Sequence, residues 1–226
     1  MKLVMFDIDG TLTQSSDLDD SSFIQALDDV FGFKVVSNDW GTYTHVTDSY
    51  ILEDIYRLHR GKPPAPEEVD RFRNRFVELL SEGALAHGGV QPVRGAPEIL
   101  SRLISSPDRA VAYAGGAWRA SAIFKLRSAG LPVENIPNAF ADDDRSREGI
   151  CKIAHGRAEQ HHQCIFREIV YVGDGVWDVH CAQRLKYSFI GIGQGDRAGR
   201  LIAEGAKHVL PDYEDVAGFL ALLNSQ

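Results

Sequence analysis

Four aspartates in two short motifs carry the strongest chemical signal in the chain. Asp7 and Asp9 lie in Asp7-Ile8-Asp9-Gly10-Thr11-Leu12-Thr13; Asp174 and Asp178 lie in Gly173-Asp174-Gly175-Val176-Trp177-Asp178. Carboxylates brought together repel one another, and the crowding costs free energy unless a cation sits among them. An all-oxygen set suits a hard ion such as Mg2+, which keeps several waters and leaves room for a phosphate oxygen. Such a cation masks the charge that would otherwise keep a phosphate dianion away from an aspartate. A carboxylate nucleophile can then divide one difficult displacement into two easier ones. A second carboxyl beside it can protonate the leaving alcohol and later deprotonate the attacking water.

Each aspartate pair follows a short apolar run, Leu3 to Phe6 and Ile169 to Val172, that reads as a buried strand of a parallel sheet. Similar runs occur at Ala110 to Ala114 and Ser188 to Ile192, with a weaker one at His208 to Leu210. Between them lie helical patterns at Ala117 to Ala129, Ser146 to Ala158, Val176 to Leu185 and Ala198 to Glu204, and Glu214 to Leu223 closes the chain. Strands alternating with helices predict an α/β fold, a doubly wound, Rossmann-like parallel sheet. Ligands of such sheets bind beyond the carboxyl ends of the strands, where the four aspartates fall. Residues 14–92 break the rhythm. Ser22 to Phe31, Ser49 to Leu58 and Glu67 to Leu80 read as helices, with Pro63 to Pro66 as a stiff linker. The expected organisation is therefore a core of residues 1–13 and 93–226 and a small all-helical domain, 14–92, inserted after the first strand.

The motif at Asp7 to Thr13 resembles the first motif of the haloacid dehalogenase superfamily, and Gly173 to Asp178 resembles its fourth. The two occur in the family's order, the likeness spans the whole chain, and the helical insertion looks like the family's cap, as in phosphoglycolate-phosphatase-like members. The resemblance implies a Mg2+-dependent phosphatase acting on a small phosphorylated metabolite. Asp7 would be nucleophile and metal ligand. Asp9 would be the general acid/base and would ligate through its main-chain carbonyl. Asp174 would complete the ligands, with Asp178 behind them orienting the metal waters or the lysine. Gly10 would permit the tight turn, and Thr11 would fix the phosphate loop. A dehalogenase would need neither Asp9 nor a metal, whereas a phosphomutase would need the same residues as a phosphatase.

The second and third motifs depart from the family pattern. Gly115 occupies the position of a hydroxyl residue, leaving the amides of Gly115 and Gly116 as phosphate donors. A missing side-chain donor of this kind is worth about 2.7–4 kcal/mol at comparable sites, so a weakly active or purely binding protein is the alternative reading. For the basic third motif, Lys125 is the first candidate and Arg145 and Arg147 are its rivals. In the insertion, His45 is read as a substrate contact, and Thr47 or Asp48, with Asp48 favoured, as the cap of the next helix.

The net charge of −8 argues against a nucleic-acid or acidic-membrane partner, which would need a basic face. Cys151, Cys164 and Cys181 match no metal or redox spacing and read as free thiols in a reducing compartment. His161-His162 beside Cys164 has no fourth ligand in sight and reads as a solvated helix end. The start of the chain shows no signal peptide and no run is long enough to span a membrane, so the expectation is a cytoplasmic protein. Oligomeric state is not legible in the sequence.

Overall fold

A computed structural model describes residues 1–34 and 39–225. Six strands among them form one parallel sheet: β1 (Lys2–Phe6), β2 (Arg109–Ala114), β3 (Asn138–Ala139), β4 (Ile169–Gly173), β5 (Ser188–Ile192) and β6 (Val209–Leu210). Their spatial order is β3-β2-β1-β4-β5-β6. The chain winds one way from β1 to β3 and the other way from β4 to β6, which puts the reversal between β1 and β4. Phe6 is in register with Val172, and the Asp7 amide donates to the Val172 carbonyl at 3.0 Å. The two acidic motifs thus leave adjacent strands side by side.

Three helices fill the stretch between β1 and the return to the sheet: α1 (Ser16–Phe31), α2 (Asp48–Arg60) and α3 (Pro66–Ala86), with a short 3-10 turn at Trp40–Thr42. The sheet is flanked by α4 (Ala96–Ile104), α5 (Arg119–Ser128), α6 (Arg147–His162), α7 (Val176–Leu185), α8 (Asp196–Ala203) and α9 (Val216–Ser225). Separate apolar clusters cover its two faces, one around Phe6, Tyr113 and Phe219 and the other around Met5, Tyr171 and Cys151.

The inserted helices have a core of their own, and it includes two residues from the sheet domain. Phe23, Phe72 and Phe76 pack around Trp118, which follows β2, together with Ala141. Trp118 lies nearly parallel to Phe23 at 6.2 Å and edge-on to Phe72 at 5.7 Å. Hydrogen bonds reinforce the junction. The Asp48 amide donates to the Gly116 carbonyl at 2.8 Å, and the Thr47 hydroxyl donates to the Arg145 carbonyl at 2.9 Å.

Three expectations need correction. Helix α1 begins at Ser16, six residues before the predicted start. The apolar pattern starts only at Phe23, but Asp17 and Asp19 in the first turn meet the positive end of the helix dipole. Helix α3 runs on to Ala86, beyond the predicted end at Leu80. Helix α4 was not anticipated, although Pro97 in its first turn and Ile99, Leu100 and Leu103 on one face mark it.

Asp143 pins the edge of the sheet. Its carboxylate accepts from Arg119 at 2.9 Å, Arg157 at 2.8 Å and the Phe140 amide at 2.9 Å. Burial works against the charge, but Arg157, the Phe140 amide and Arg119 outweigh it and hold the carboxyl below its usual range. Asp143→Ala should cost about 2–3 kcal/mol in chemical unfolding. A depressed folded-state pKa contributes stability above the ordinary carboxylate range and loses it as pH falls through the lowered value. The gap between wild type and variant should therefore narrow in acid; a gap that is constant down to pH 2 would contradict this account.

Candidate active site

Beyond the carboxyl ends of β1 and β4 lies a cavity of about 400 Å³, roofed by the inserted helices. Asp7, Asp9, Asp174, Arg147 and Arg197 line it from the sheet side, and Asp19, Asp48 and Trp40 from the insertion. Carboxylate oxygens of Asp7, Asp174 and Asp178 all lie within 4.8 Å of one another.

The left-handed turn at Gly10 (φ 69°) lets the backbone pass close under Asp174; a Cβ there would sit 2.0 Å from Asp174 Oδ2. Gly173 serves the same end for Asp178, whose Oδ2 lies 2.5 Å from the position a Cβ would take. Asp178 is fully engaged by the protein. Its Oδ1 accepts from Arg147 at 2.8 Å and from the Tyr171 hydroxyl at 3.0 Å, and its Oδ2 accepts from the Gly175 amide at 3.0 Å. It is therefore suited to holding its neighbours in place, while Asp7 and Asp174 face the cavity.

Arg147, the first residue of α6, is the hub of the site. Nη1 donates to Asp7 Oδ1 at 3.1 Å as well as to Asp178, and Nε donates to the Val46 carbonyl of the insertion at 3.0 Å. Its guanidinium lies 5.9 Å from the centre of the Trp177 ring. Burial disfavours its charge, but Asp178 and Asp7 outweigh that and keep it protonated. Burial pushes the Asp7 carboxyl up to about 7 against the pull of Arg147, with Asp178 and Asp9 adding to the rise. Burial likewise raises Asp174 well above the carboxylate range, although Arg197 pairs with its Oδ2 at 2.8 Å. Two buried carboxyls whose charged forms burial disfavours are short of positive charge. Together with the oxygen-only donor set, this fits a divalent cation held by Asp7 and Asp174.

Lys125 is placed differently from its expected role. Its buried ammonium pairs with Asp9 Oδ2 at 2.5 Å and Asp19 Oδ1 at 2.6 Å, while the cation on Asp7 is Arg147. The reason is position: Lys125 points from α5 toward the start of the insertion, whereas α6 opens directly beside Asp7. Arg145 turns outward to Glu53 at 3.1 Å.

Other sequence-derived contacts also move. His45 packs edge-on against Tyr50 at 5.0 Å and is not among the described residues lining the cavity. Thr11 is wholly buried behind the loop, where its carbonyl accepts from Tyr213 at 3.1 Å and its own hydroxyl has no partner. Thr47, not Asp48, caps α2, and Asp48 instead accepts from the Trp118 amide at 2.9 Å. The Gly115 amide leans toward the Ala139 carbonyl at 3.4 Å, so it extends the β2–β3 pairing. Gly116 lines the cavity, and a Cβ on it would press within 2.9 Å of Arg147 Nη2 and 2.5 Å of the Val46 carbonyl. Sequence reasoning did not single out Ser15, Asp19 or Arg197. Their types are common at helix starts, and only the fold brings them to the site.

No protein-family model matches the sequence, and no curated protein is significantly similar to it. Solved structures are similar. A hydrolase from Pseudomonas syringae superposes with a TM-score of 0.73 at 20% identity, covering 98% of both chains. A HAD hydrolase of family IA, variant 3, from Entamoeba histolytica gives 0.72 at 14%, covering 99% of this chain and 100% of that one. CbbY from Rhodobacter sphaeroides, in complex with phosphate, gives 0.67 at 17%, covering 93% and 94%. The chain has the fold of the haloacid dehalogenase-like hydrolases.

Two predictions follow from this geometry. A Cβ at Gly115 would sit 2.7 Å from Asp7 Oδ1, so a larger residue there would displace the Asp7 carboxylate from its present orientation. Gly115→Ala should lower kcat at least ~10-fold at similar KM, since small misplacements of reacting groups are costly; unchanged kcat would contradict the stated packing. Arg197 competes for Asp174 as a half-exposed cation, so Arg197→Met should tighten Mg2+ binding about fivefold in calorimetry. Weaker binding would show that Arg197 supports the metal site.

Proposed function

We propose that the protein is a Mg2+-dependent phosphatase that hydrolyses a small phosphate monoester through an aspartyl-phosphate on Asp7. The observation that carries this reading is the pairing of a buried Asp7 with Arg147 beside Asp174, in a roofed cavity at the switch point of the sheet. A magnesium ion held by Asp7, Asp174 and the main chain at Asp9 would supply charge masking and orient the phosphoryl group.

The chain's own residues account for the rest. An Asp7 oxygen forms a bond to phosphorus as the ester P–O bond breaks, its electron pair leaving on the ester oxygen. Asp9, which lines the same cavity, gives that oxygen a proton. Arg147 steadies Asp7 before the attack, and its guanidinium stands where it can take the equatorial phosphoryl oxygens, a place that a serine or threonine at position 115 would otherwise serve. Water then attacks the aspartyl-phosphate, with Asp9 accepting its proton. Residues 14–92 serve as a cap that excludes bulk water and selects the substrate.

A phosphomutase would use the same residues and differ in returning the phosphoryl group to sugar instead of water. The phosphatase reading predicts phosphate release from some member of a monoester panel, lost on chelation of Mg2+ and lost by at least ~1,000-fold in Asp7→Asn. Release that persists in Asp7→Asn would refute it. Transfer between two sugar positions without net release would favour the mutase.

A further inference from the structure

Lys125 has no place in the reaction just described, yet it is wholly buried and holds two carboxylates. One, Asp19, stands in the first turn of α1, the first helix of the insertion. The other, Asp9, stands in the loop after β1. A third, Asp48, at the start of α2, lies close enough to act on the same ammonium. The other oxygen of Asp9 is also held from the approach to the insertion. Its Oδ1 accepts from Ser15 at 2.5 Å, and Ser15 in turn bonds to Thr13 at 2.6 Å. Both oxygens of Asp9 are thus held, one by Lys125 of α5, which also holds Asp19, and the other by Ser15, the residue before α1.

A buried ion pair adds little stability over a well-packed apolar pair, because desolvation offsets the attraction. What it fixes is geometry. Two carboxylates share one ammonium here, so Lys125 can set where the Asp9 carboxyl points without committing its charge to Asp9 alone.

We propose that Lys125 is a positioning residue that joins the inserted helices, through Asp19, to Asp9, so that the proton donor is aligned only when the insertion is seated on the sheet domain. The inference rests on the phosphatase reading for its catalytic consequence and on the structure alone for the joint itself. It also bears on substrate class. Alkyl phosphates need a proton delivered to the leaving oxygen, whereas 2,4-dinitrophenyl phosphate has a leaving group acidic enough to depart unaided.

The test compares Lys125→Met with wild type on an alkyl phosphate and on 2,4-dinitrophenyl phosphate. In the first turnover, release of the alcohol from the alkyl ester should slow ~100-fold, the scale of general-acid catalysis, while release of dinitrophenolate slows less than ~3-fold, because the second duty of Asp9, taking the proton of the attacking water, follows that step for both esters. Equal losses on both esters, or no loss on either, would overturn the proposal. Should Lys125→Met not fold, Asp19→Asn cuts the same joint at its insertion end and should give the same split in smaller measure. Amide hydrogen exchange reads the joint without any turnover. In either variant, exchange should quicken in α1 and residues 9–15 and stay unchanged in β1 and β4, and unaltered exchange in α1 would overturn the joint. Failure of the wild type on both esters would count against the phosphatase reading, with the joint then decided by exchange.

Discussion

The structure is organised around buried negative charge at one edge of a parallel sheet. Carboxylate oxygens of Asp7, Asp174 and Asp178 are brought within 4.8 Å of one another because β1 and β4 are neighbours in register. No arrangement of these groups is stable with all three ionised and unpartnered. The surroundings answer that constraint. Arg147 spans Asp7 and Asp178, Arg197 covers Asp174, and Tyr171 and the Gly175 amide complete Asp178. What remains unanswered, in Asp7 and Asp174, is a demand for positive charge of the kind a divalent cation supplies.

The same arginine connects chemistry to architecture. Arg147 touches Asp7 at one end and the Val46 carbonyl of the insertion at the other, so the site and its roof share one side chain. Gly116 makes that passage possible, because any Cβ there would collide with both partners. Trp118, two residues on, belongs to the aromatic core of the insertion and not to that of the sheet domain. The segment after β2 is therefore a joint where the two parts are packed as one. The missing hydroxyl at position 115 belongs to the same solution, since Asp7 leans toward Arg147 through the space such a residue would fill.

The fold was legible where periodicity and strand-end glycines were strong. The four longer strands, the acidic motifs and the helical character of the insertion all follow from the sequence pattern. Strand β3 has two residues, too few to show a period, and the start of α1 was hidden by aspartates whose helical role is electrostatic. Side-chain destinations were less legible. Lys125 and Arg147 are both basic residues on helices after sheet strands, and nothing local distinguishes them. Only the crossing of α5 and α6 sends one to Asp9 and Asp19 and the other to Asp7. His45 looked available for a substrate because its loop is polar, and Tyr50 takes it instead. Asp19 could not be assigned from sequence, since its importance lies in a partner 106 residues away.

The central claim is that Asp7 accepts the phosphoryl group while Arg147 steadies it. The most direct measurement is acid-quenched mass spectrometry of the protein during steady turnover of a hydrolysed monoester. The account predicts a peptide containing Asp7 that is heavier by one phosphoryl group and disappears in Arg147→Met as turnover falls. Sustained phosphate release with Asp7 never modified would contradict it.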